Sequence, residues 1–327
     1  MIARLVIVLG SIALLFPLPG CEEPFSPKGP FEESLVVYAI LSNKSDTQYV
    51  RLYTTYNPSG FDPLERTTDT PVTDADVVLQ SSRGTSGALN DTMIVRWDKS
   101  RYQSDIRAYV LNNHRVEQGS TYTLRITSPG RDPVEATARV PEIGSVSIEN
   151  SFALSQPDRF PENFVVRARL SSVALGYYVR FVIDYDIKRG GIWRSESIEV
   201  PESIADVVDC RTYRAVYPRL TRRAFRNDPE SAVFENRAYQ QTLGKLWGDA
   251  GDDSLRVRQA RVELMQVEPH LYRYYNVVNG FQDERSIRSD EPDYSNIKGA
   301  VGIFGAFFSQ STIYELPPTM GFQYRCR

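Results

Sequence analysis

Histidine and cysteine are scarce in this sequence. Its 327 residues include two histidines, His114 and His270, and three cysteines. The two histidines lie far apart, and neither has a cysteine or carboxylate cluster near it at the spacing of a metal site. The sequence therefore predicts no catalytic zinc, and we expect neither a metal nor another cofactor.

No charge of one sign dominates the chain. The 38 lysines and arginines face 41 aspartates and glutamates, so the formal net charge is −3. Arginines alternate with acids, as around Arg261 and Glu263, and this pattern is typical of solvated strand faces. We therefore expect no basic stripe for nucleic acid and no nucleic-acid partner.

Common catalytic motifs are also absent. Residues 84–87 read Gly-Thr-Ser-Gly, which is not the spacing of a nucleophile elbow. Asp184 and Asp186 flank a single residue, so both carboxylates can lie on one strand face, as in a glycosidase pair or a cation site. Solvent-facing acids beside a hairpin are the commoner explanation. We predict no catalytic residues and no enzyme, with a hydrolase that uses this pair as the third hypothesis.

Long apolar runs are absent except at the N-terminus. Arg4 precedes an apolar run over residues 5–16, and Leu18-Pro19-Gly20-Cys21 follows. The run is shorter than the roughly 20 residues of a membrane-spanning helix, and the layout is that of a signal peptide over residues 1–20. Residues 18–21 resemble a lipobox, although Pro19 stands where a lipobox usually has a small residue. We predict lipidation at Cys21, the alternative being a buried or disulfide-bonded cysteine.

Residues 21–33 are rich in proline and charge, a composition typical of an extended tether. The acidic pair at residues 22–23 resembles the signals that export Bacteroidota lipoproteins to the cell surface. We therefore expect a lipid-anchored protein of the outer membrane that faces the cell surface, with the periplasmic face as the alternative.

The other two cysteines, Cys210 and Cys326, form an even pair in a compartment that permits disulfides. A bridge across so long a loop would stabilise the fold by about 3–5 kcal/mol on the loop-entropy model. Two free buried thiols are the alternative.

The chain reads as an all-β protein with one or two helices. In residues 34–142, short alternating apolar runs such as 119–126 are divided by turn residues, which predicts an immunoglobulin-like β-sandwich. Residues 143–327 then form a larger β-rich domain. We predict a hairpin turn at 188–192 and a bulge near Gln259, where the apolar phase of a strand slips.

Two segments of the second domain stand out from its strands. A helix is expected near 268–281, because Leu271, Tyr274, Tyr275 and Val278 recur at helical spacing after Pro269. Residues 222–253 are polar and carry few regularly spaced apolar residues, which predicts a long surface excursion.

Residues 291–307 carry a motif, Ser295-Asn296-Ile297-Lys298-Gly299-Ala300-Val301-Gly302-Ile303-Phe304-Gly305. It resembles the C-terminal signature of a Bacteroidota lipoprotein family, domain of unknown function 4249, with Ala300 in place of a second glycine. Residues 35–38, 71–79, 119–126 and 272–275 agree in order. The resemblance implies a lipoprotein encoded beside TonB-dependent receptors, and it supplies no catalytic residues.

We therefore expect a non-enzymatic accessory of a TonB-dependent transporter or another outer-membrane complex, which captures substrate or supports assembly. The signature reads as structural packing, or alternatively as a receptor contact through Phe304 and Phe307. The rival hypothesis is a stand-alone surface protein that binds carbohydrate or peptide through exposed Trp193, Tyr239 and Trp247.

Overall fold

The computed structural model describes residues 30–57, 67–100, 102–160, 162–209, 212–224, 229–251, 253–278 and 294–317. The predicted signal peptide, Cys21, Cys210 and Cys326 lie outside the described residues, so lipidation and the disulfide stay predictions.

Seventeen strands and two α-helices make up most of the described chain. The strands are β1 Leu35–Ser42, β2 Gln48–Thr54, β3 Asp76–Ser81, β4 Ser86–Ile94, β5 Ile106–Leu111, β6 Thr121–Thr127, β7 Val134–Arg139, β8 Ser145–Ile148, β9 Phe164–Arg169, β10 Gly176–Arg189, β11 Ile192–Val200, β12 Ser203–Ala205, β13 Arg214–Val216, β14 Thr221–Arg222, β15 Glu230–Phe234, β16 Ser254–Val267 and β17 Val301–Glu315. The helices are α1 Asn236–Ala250 and α2 Pro269–Val278, and a 3₁₀ helix covers Ser151–Ser155. The predicted all-β class is confirmed.

One large sheet organises the molecule. Its strands follow the order β11-β10-β16-β17-β1-β2-β5-β4-β3-β6-β7, with β14 added beside β10. β17 and β1 pair in parallel, with Val37 opposite Gly302 and Ser42 opposite Phe307. This pairing joins the two ends of the described chain at the centre of the sheet.

The first apolar core belongs to a sandwich-like fold of the N-terminal strands. β4 pairs with β3 through its first half and with β5 through its second half, so the sheet folds over at this strand. Inward side chains at alternate positions fill the space between the layers, among them Val37, Leu52, Tyr122 and Leu124, each 1% exposed or less. Phe304 of β17 completes this core.

The second core lies between the long strands β10 and β16 and a layer formed by β8, β9, β15 and α1. Phe181 stacks on Tyr239 with ring centroids 5.5 Å apart and meets Phe234 edge-on at 5.4 Å. Each such fully buried side chain contributes roughly 1.5–3 kcal/mol. The chain from Ser34 onward forms one compact unit, and a domain boundary at 142/143 stays a prediction.

The prediction of a surface excursion over residues 222–253 is wrong. This segment contains β15 and α1, and α1 buries Tyr239, Leu243 and Leu246 in the second core. These residues recur at i, i+4 and i+7, which is helical spacing. Intervening glutamines and glycines lower the mean hydropathy of the helix and obscure this periodicity in the sequence.

Three local predictions are confirmed. Asp184 faces Gln259 while Tyr185 faces Val257, so Arg258 is the extra residue of a β-bulge. β10 and β11 are joined through Gly190 and Gly191 at φ +59° and +83°, the left-handed conformation that tight hairpin turns require. The helix expected near 268–281 is α2.

The Asn-Ile-Lys-Gly signature shapes the start of β17. The Asn296 amide donates to the Phe304 carbonyl oxygen at 2.7 Å and accepts the Phe304 N–H at 3.0 Å. Gly302 has φ +123°, and a methyl group there would overlap the Val37 carbonyl oxygen. A methyl group on Gly305 would lie 2.7 Å from Cβ of Leu271 in α2. These contacts give the signature a structural role.

Candidate binding surface

The outward face of β10, β16 and β17 holds a concavity of about 400 Å³. Cross-strand pairing places Tyr178 opposite Met265, and Met265 opposite Ser309. Residues opposite each other share a face of the sheet, so the three strands present one continuous surface. The lining residues, which we call the central concavity, are Lys44, Tyr178, Arg180, Glu199, Glu263, Met265, Phe307 and Ser309.

Lys44 reaches the central concavity from the β1–β2 turn because Asn43 fixes that turn. The Asn43 amide donates to the Ser309 carbonyl oxygen and accepts the Ser309 N–H, each at 2.7 Å. This reciprocal pair of hydrogen bonds joins the β1–β2 turn to β17. The Lys44 side chain keeps 50% of its surface exposed, so it is available to a partner.

A ladder of ion pairs crosses the floor of the concavity. Glu263 accepts from Lys44 at 3.3 Å and from Arg180 at 3.4 Å, and it also pairs with Arg261. Arg180 donates to Glu199 at 2.8 Å. Burial lowers the pKa of Lys44, and the nearby Arg180 and Arg261 lower it further. Among the lining residues, the two cations balance the two carboxylates, so the surface is polar but carries no net charge.

Asp184 and Asp186 lie beside this ladder and share one face, as predicted. Arg261 donates to Asp184 through two nitrogens at 3.1 Å each, and Ser197 donates at 2.6 Å. Burial raises the pKa of Asp184, but the hydrogen bonds from Arg261, Ser197 and Gln259 outweigh it and hold the pKa at about 2. Asp186 accepts from Ser195 at 2.7 Å. A carboxyl with so low a pKa is a poor general acid at neutral pH.

The predicted contact aromatics separate into exposed and buried groups. Phe307 lines the central concavity. Trp193 is 40% exposed on β11, with the Arg256 guanidinium 4.4 Å from its ring centroid, and Trp247 packs partly buried against the second core. Tyr239 and Phe304 have no exposed surface. The expectation that these two contact a partner is therefore wrong, because both complete apolar cores.

A second concavity, of about 480 Å³, was not predicted from the sequence. We call it the arginine–tyrosine cleft, and it is lined by Val36, Arg51, Tyr53, Thr54, Thr55, Tyr56, Asp69, Thr70, Arg96 and Tyr102. The only signal in the sequence was the alternation of Arg51 and Tyr53 around the buried Leu52. Alternation places both side chains on the outer face of β2, but their partners come from elsewhere in the chain.

The described residues offer neither a membrane-spanning helix nor a cluster of metal ligands. None of their helices is both long and apolar enough to cross a membrane. Within the same part of the chain, no group of three or more histidines, cysteines or acids is arranged to hold a metal ion.

A family model matches most of the chain. A family described as "Domain of unknown function (DUF4249)" matches residues 22–313. No curated protein matches the chain.

Proposed function

This chain belongs to the DUF4249 family, and from that premise we propose that it is a non-enzymatic lipoprotein of the outer membrane. It is anchored through lipid on Cys21 and faces the cell surface. It acts as an accessory of a TonB-dependent transporter or another outer-membrane complex, either in substrate capture or in assembly.

The anchor is supported by the N-terminal sequence. The apolar run at residues 5–16 and the lipobox-like residues 18–21 precede a proline-rich tether. The family match begins at residue 22, directly after the proposed acylated cysteine. Two or three acyl chains, at about 0.8 kcal/mol per buried methylene, hold a protein stably on one leaflet.

The central concavity is the observation that carries the partner role. It combines the apolar or aromatic side chains of Tyr178, Met265 and Phe307 with the half-exposed cation of Lys44. Protein interfaces combine aromatic residues, methionine and arginine with a polar rim in the same way. The cations and carboxylates of its ion pairs already balance one another, so a partner can bury this surface without leaving one of these charges uncompensated.

Binding without catalysis agrees with the state of the acidic pair. Asp184 is ionised and held by Arg261 and two further donors, and Asp186 is bonded to Ser195 and Arg258. Both carboxylates are held by ion pairs and hydrogen bonds of the sheet face, which supports a structural role for the pair.

A pull-down of the tagged full chain from its native outer membrane in mild detergent tests the proposal. We expect one abundant outer-membrane receptor to copurify in stoichiometric amounts. Lys44→Glu reverses the exposed charge of the central concavity and is expected to reduce copurification at least tenfold. The matched control is Lys99→Glu, since Lys99 is 47% exposed and pairs with Asp105 at 3.2 Å. Cys21→Ala is expected to abolish membrane retention.

A chain that is purified alone would contradict the accessory role and favour a stand-alone binding protein. Equal loss of the receptor with Lys44→Glu and Lys99→Glu would leave the accessory role standing but would contradict its assignment to the central concavity. A Cys21→Ala chain that stays in the membrane would contradict the lipid anchor.

A further inference from the structure

The charged and paired aromatic side chains of the arginine–tyrosine cleft come from three separate segments. β2 supplies Arg51 and Tyr53, the chain before β3 supplies Asp69, and the β4–β5 connection supplies Arg96 and Tyr102. Backbone bonds hold the first two segments together, since Thr54 N–H donates to the Thr70 carbonyl oxygen at 3.2 Å and Val72 N–H donates to the Leu52 carbonyl oxygen at 3.0 Å.

Positive charge is in excess in this cleft, unlike in the central concavity. Two guanidinium groups share one carboxylate: Asp69 lies 2.6 Å from a terminal nitrogen of Arg96 but 3.8 Å from that of Arg51. Arg96 is therefore the closely paired partner, at 13% exposure, while Arg51 is 35% exposed. Counting the lining residues, two cations minus one anion leave a net charge of +1. Arg51 is the cation available to a ligand.

Two polar atoms of the cleft wall are buried without a hydrogen bond. Arg51 Nε and Tyr53 Oη have no partner within the part of the chain that the structure describes. Burying a donor without a partner is unfavourable, so a ligand oxygen that accepts a hydrogen bond from these groups would relieve the cost. The burial of Arg51 lowers its pKa, Asp69 raises it, and repulsion from Arg96 lowers it again. An added anion would oppose this repulsion.

Tyrosine rings provide the flat walls. The Arg51 guanidinium carbon lies 4.6 Å from the Tyr53 ring centroid, and that of Arg96 lies 5.0 Å from the Tyr102 ring centroid. The rings fix the planes of the guanidinium groups and limit their rotation. The volume of about 480 Å³ is within the range of small-molecule sites, which matches a ligand with a ring-sized body.

We propose that the arginine–tyrosine cleft binds the carboxylate of a small organic acid with a ring-sized body, through the guanidinium of Arg51 and the hydroxyl of Tyr53. A carboxylate matches a planar guanidinium with two parallel hydrogen bonds, and its single charge matches the net charge of +1. A phosphate monoester carries about −1.5 to −2 at neutral pH and would exceed it. The carboxylate can come from a sugar acid or from a peptide C-terminus. This site does not depend on the partner proposed above.

Calorimetric titration of the full chain in mild detergent tests the site with two matched pairs of probes. D-glucuronate is compared with D-glucose, and N-acetyl-L-phenylalanine with its amide; in each pair the second compound lacks the carboxylate. We expect at least one acid to bind at millimolar concentration or below, and its neutral counterpart to bind at least tenfold more weakly. The acid that binds identifies the source of the carboxylate.

Substitutions then assign the binding to the named residues. Arg51→Gln is expected to weaken binding by about ten- to a hundredfold, and Tyr53→Phe by about two- to tenfold. The control is Arg125→Gln, because Arg125 pairs with Glu135 at 3.1 Å on an exposed part of β6. This substitution is expected to leave the affinity unchanged. If Arg51→Gln does not fold by circular dichroism, Tyr53→Phe decides, and an unchanged affinity overturns the proposal.

Four other results would overturn it. The first is that neither acid binds, and the second is that each acid and its neutral counterpart bind equally. The third is that Arg51→Gln folds and binds as well as Arg125→Gln. The fourth is that inorganic phosphate binds more tightly than both acids, which would contradict the assignment of a carboxylate.

Discussion

Gly302 separates two effects that are usually combined when a glycine is replaced. It has φ +123°, and an added methyl group would overlap the Val37 carbonyl oxygen. Gly190 has φ +59°, and an added methyl group there meets nothing within 4 Å. Both alanine variants carry the strain of a positive φ, about 1–2 kcal/mol in the left-handed region of Gly190 and about 1–3 kcal/mol at the φ of Gly302, which lies outside that region. Only Gly302→Ala also forces β1 and β17 apart.

The extra cost can be worked out from the pairing of these strands. Val37 lies directly opposite Gly302 and is fully buried. Separating them weakens one or two backbone hydrogen bonds at about 1 kcal/mol each, and the displaced core costs about 1–3 kcal/mol. We therefore expect Gly302→Ala to lower the free energy of unfolding by about 3–8 kcal/mol, against about 1–2 kcal/mol for Gly190→Ala.

Urea unfolding followed by circular dichroism measures both variants against the wild-type chain. A difference of this size is a large fraction of a typical stability of about 5–15 kcal/mol. A Gly302→Ala chain that fails to fold while Gly190→Ala folds would also agree with the prediction. Equal losses in the two variants would refute the close approach of β17 to β1.

Three further predictions concern buried polar groups. Burial raises the pKa of Glu268 from 4.5 to about 7 against hydrogen bonds that lower it. Its carboxyl therefore contributes stability below pH 4.5 that is lost as the pH rises to about 7, by at most about 3 kcal/mol. Glu268→Gln is expected to flatten this pH dependence in urea unfolding, and a pH profile identical to that of wild type would contradict the prediction. Tyr239→Phe removes the hydroxyl that donates to the Leu154 carbonyl oxygen at 2.9 Å and is expected to cost about 1–3 kcal/mol, so an unchanged unfolding midpoint would count against this bond. Asp184→Asn is expected to lower the free energy of unfolding by about 1 kcal/mol at neutral pH after solvent screening. Because the pKa of Asp184 is lowered from 3.8 to about 2, the difference from wild type is expected to vanish as the pH falls through that range. A difference that persists at low pH would contradict the ion pair with Arg261.

Local patterns in the sequence were sufficient for several elements. The phase slip on either side of Gln259 predicted the bulge, because side chains alternate with a period of two and an extra residue must reverse the phase. Spacing of three and four residues predicted α2, and two adjacent glycines predicted the β10–β11 turn. Each of these signals lies within a few residues of the structure that it specifies.

The sequence was insufficient where contacts over long distances decided the outcome. α1 carries a weak apolar stripe, and it is helical because Tyr239 and Leu243 fill a core provided by β10 and β16. Phe304 resembled a contact residue in the sequence, but β17 places its ring inside the first core.

By itself, the sequence determined the β class and the acidic pair on one strand face, because periodicity reports the burial of local segments. The resemblance to the family rested on the motif at residues 291–307. Only the tertiary structure decided the parallel pairing of β1 with β17, which are more than 250 residues apart. The same holds for the arginine–tyrosine cleft. Its two guanidinium groups and their shared carboxylate come from segments that no periodicity relates. The pairing of β2 with β5 and of β5 with β4, and the backbone bond between Thr54 and Thr70, bring them together.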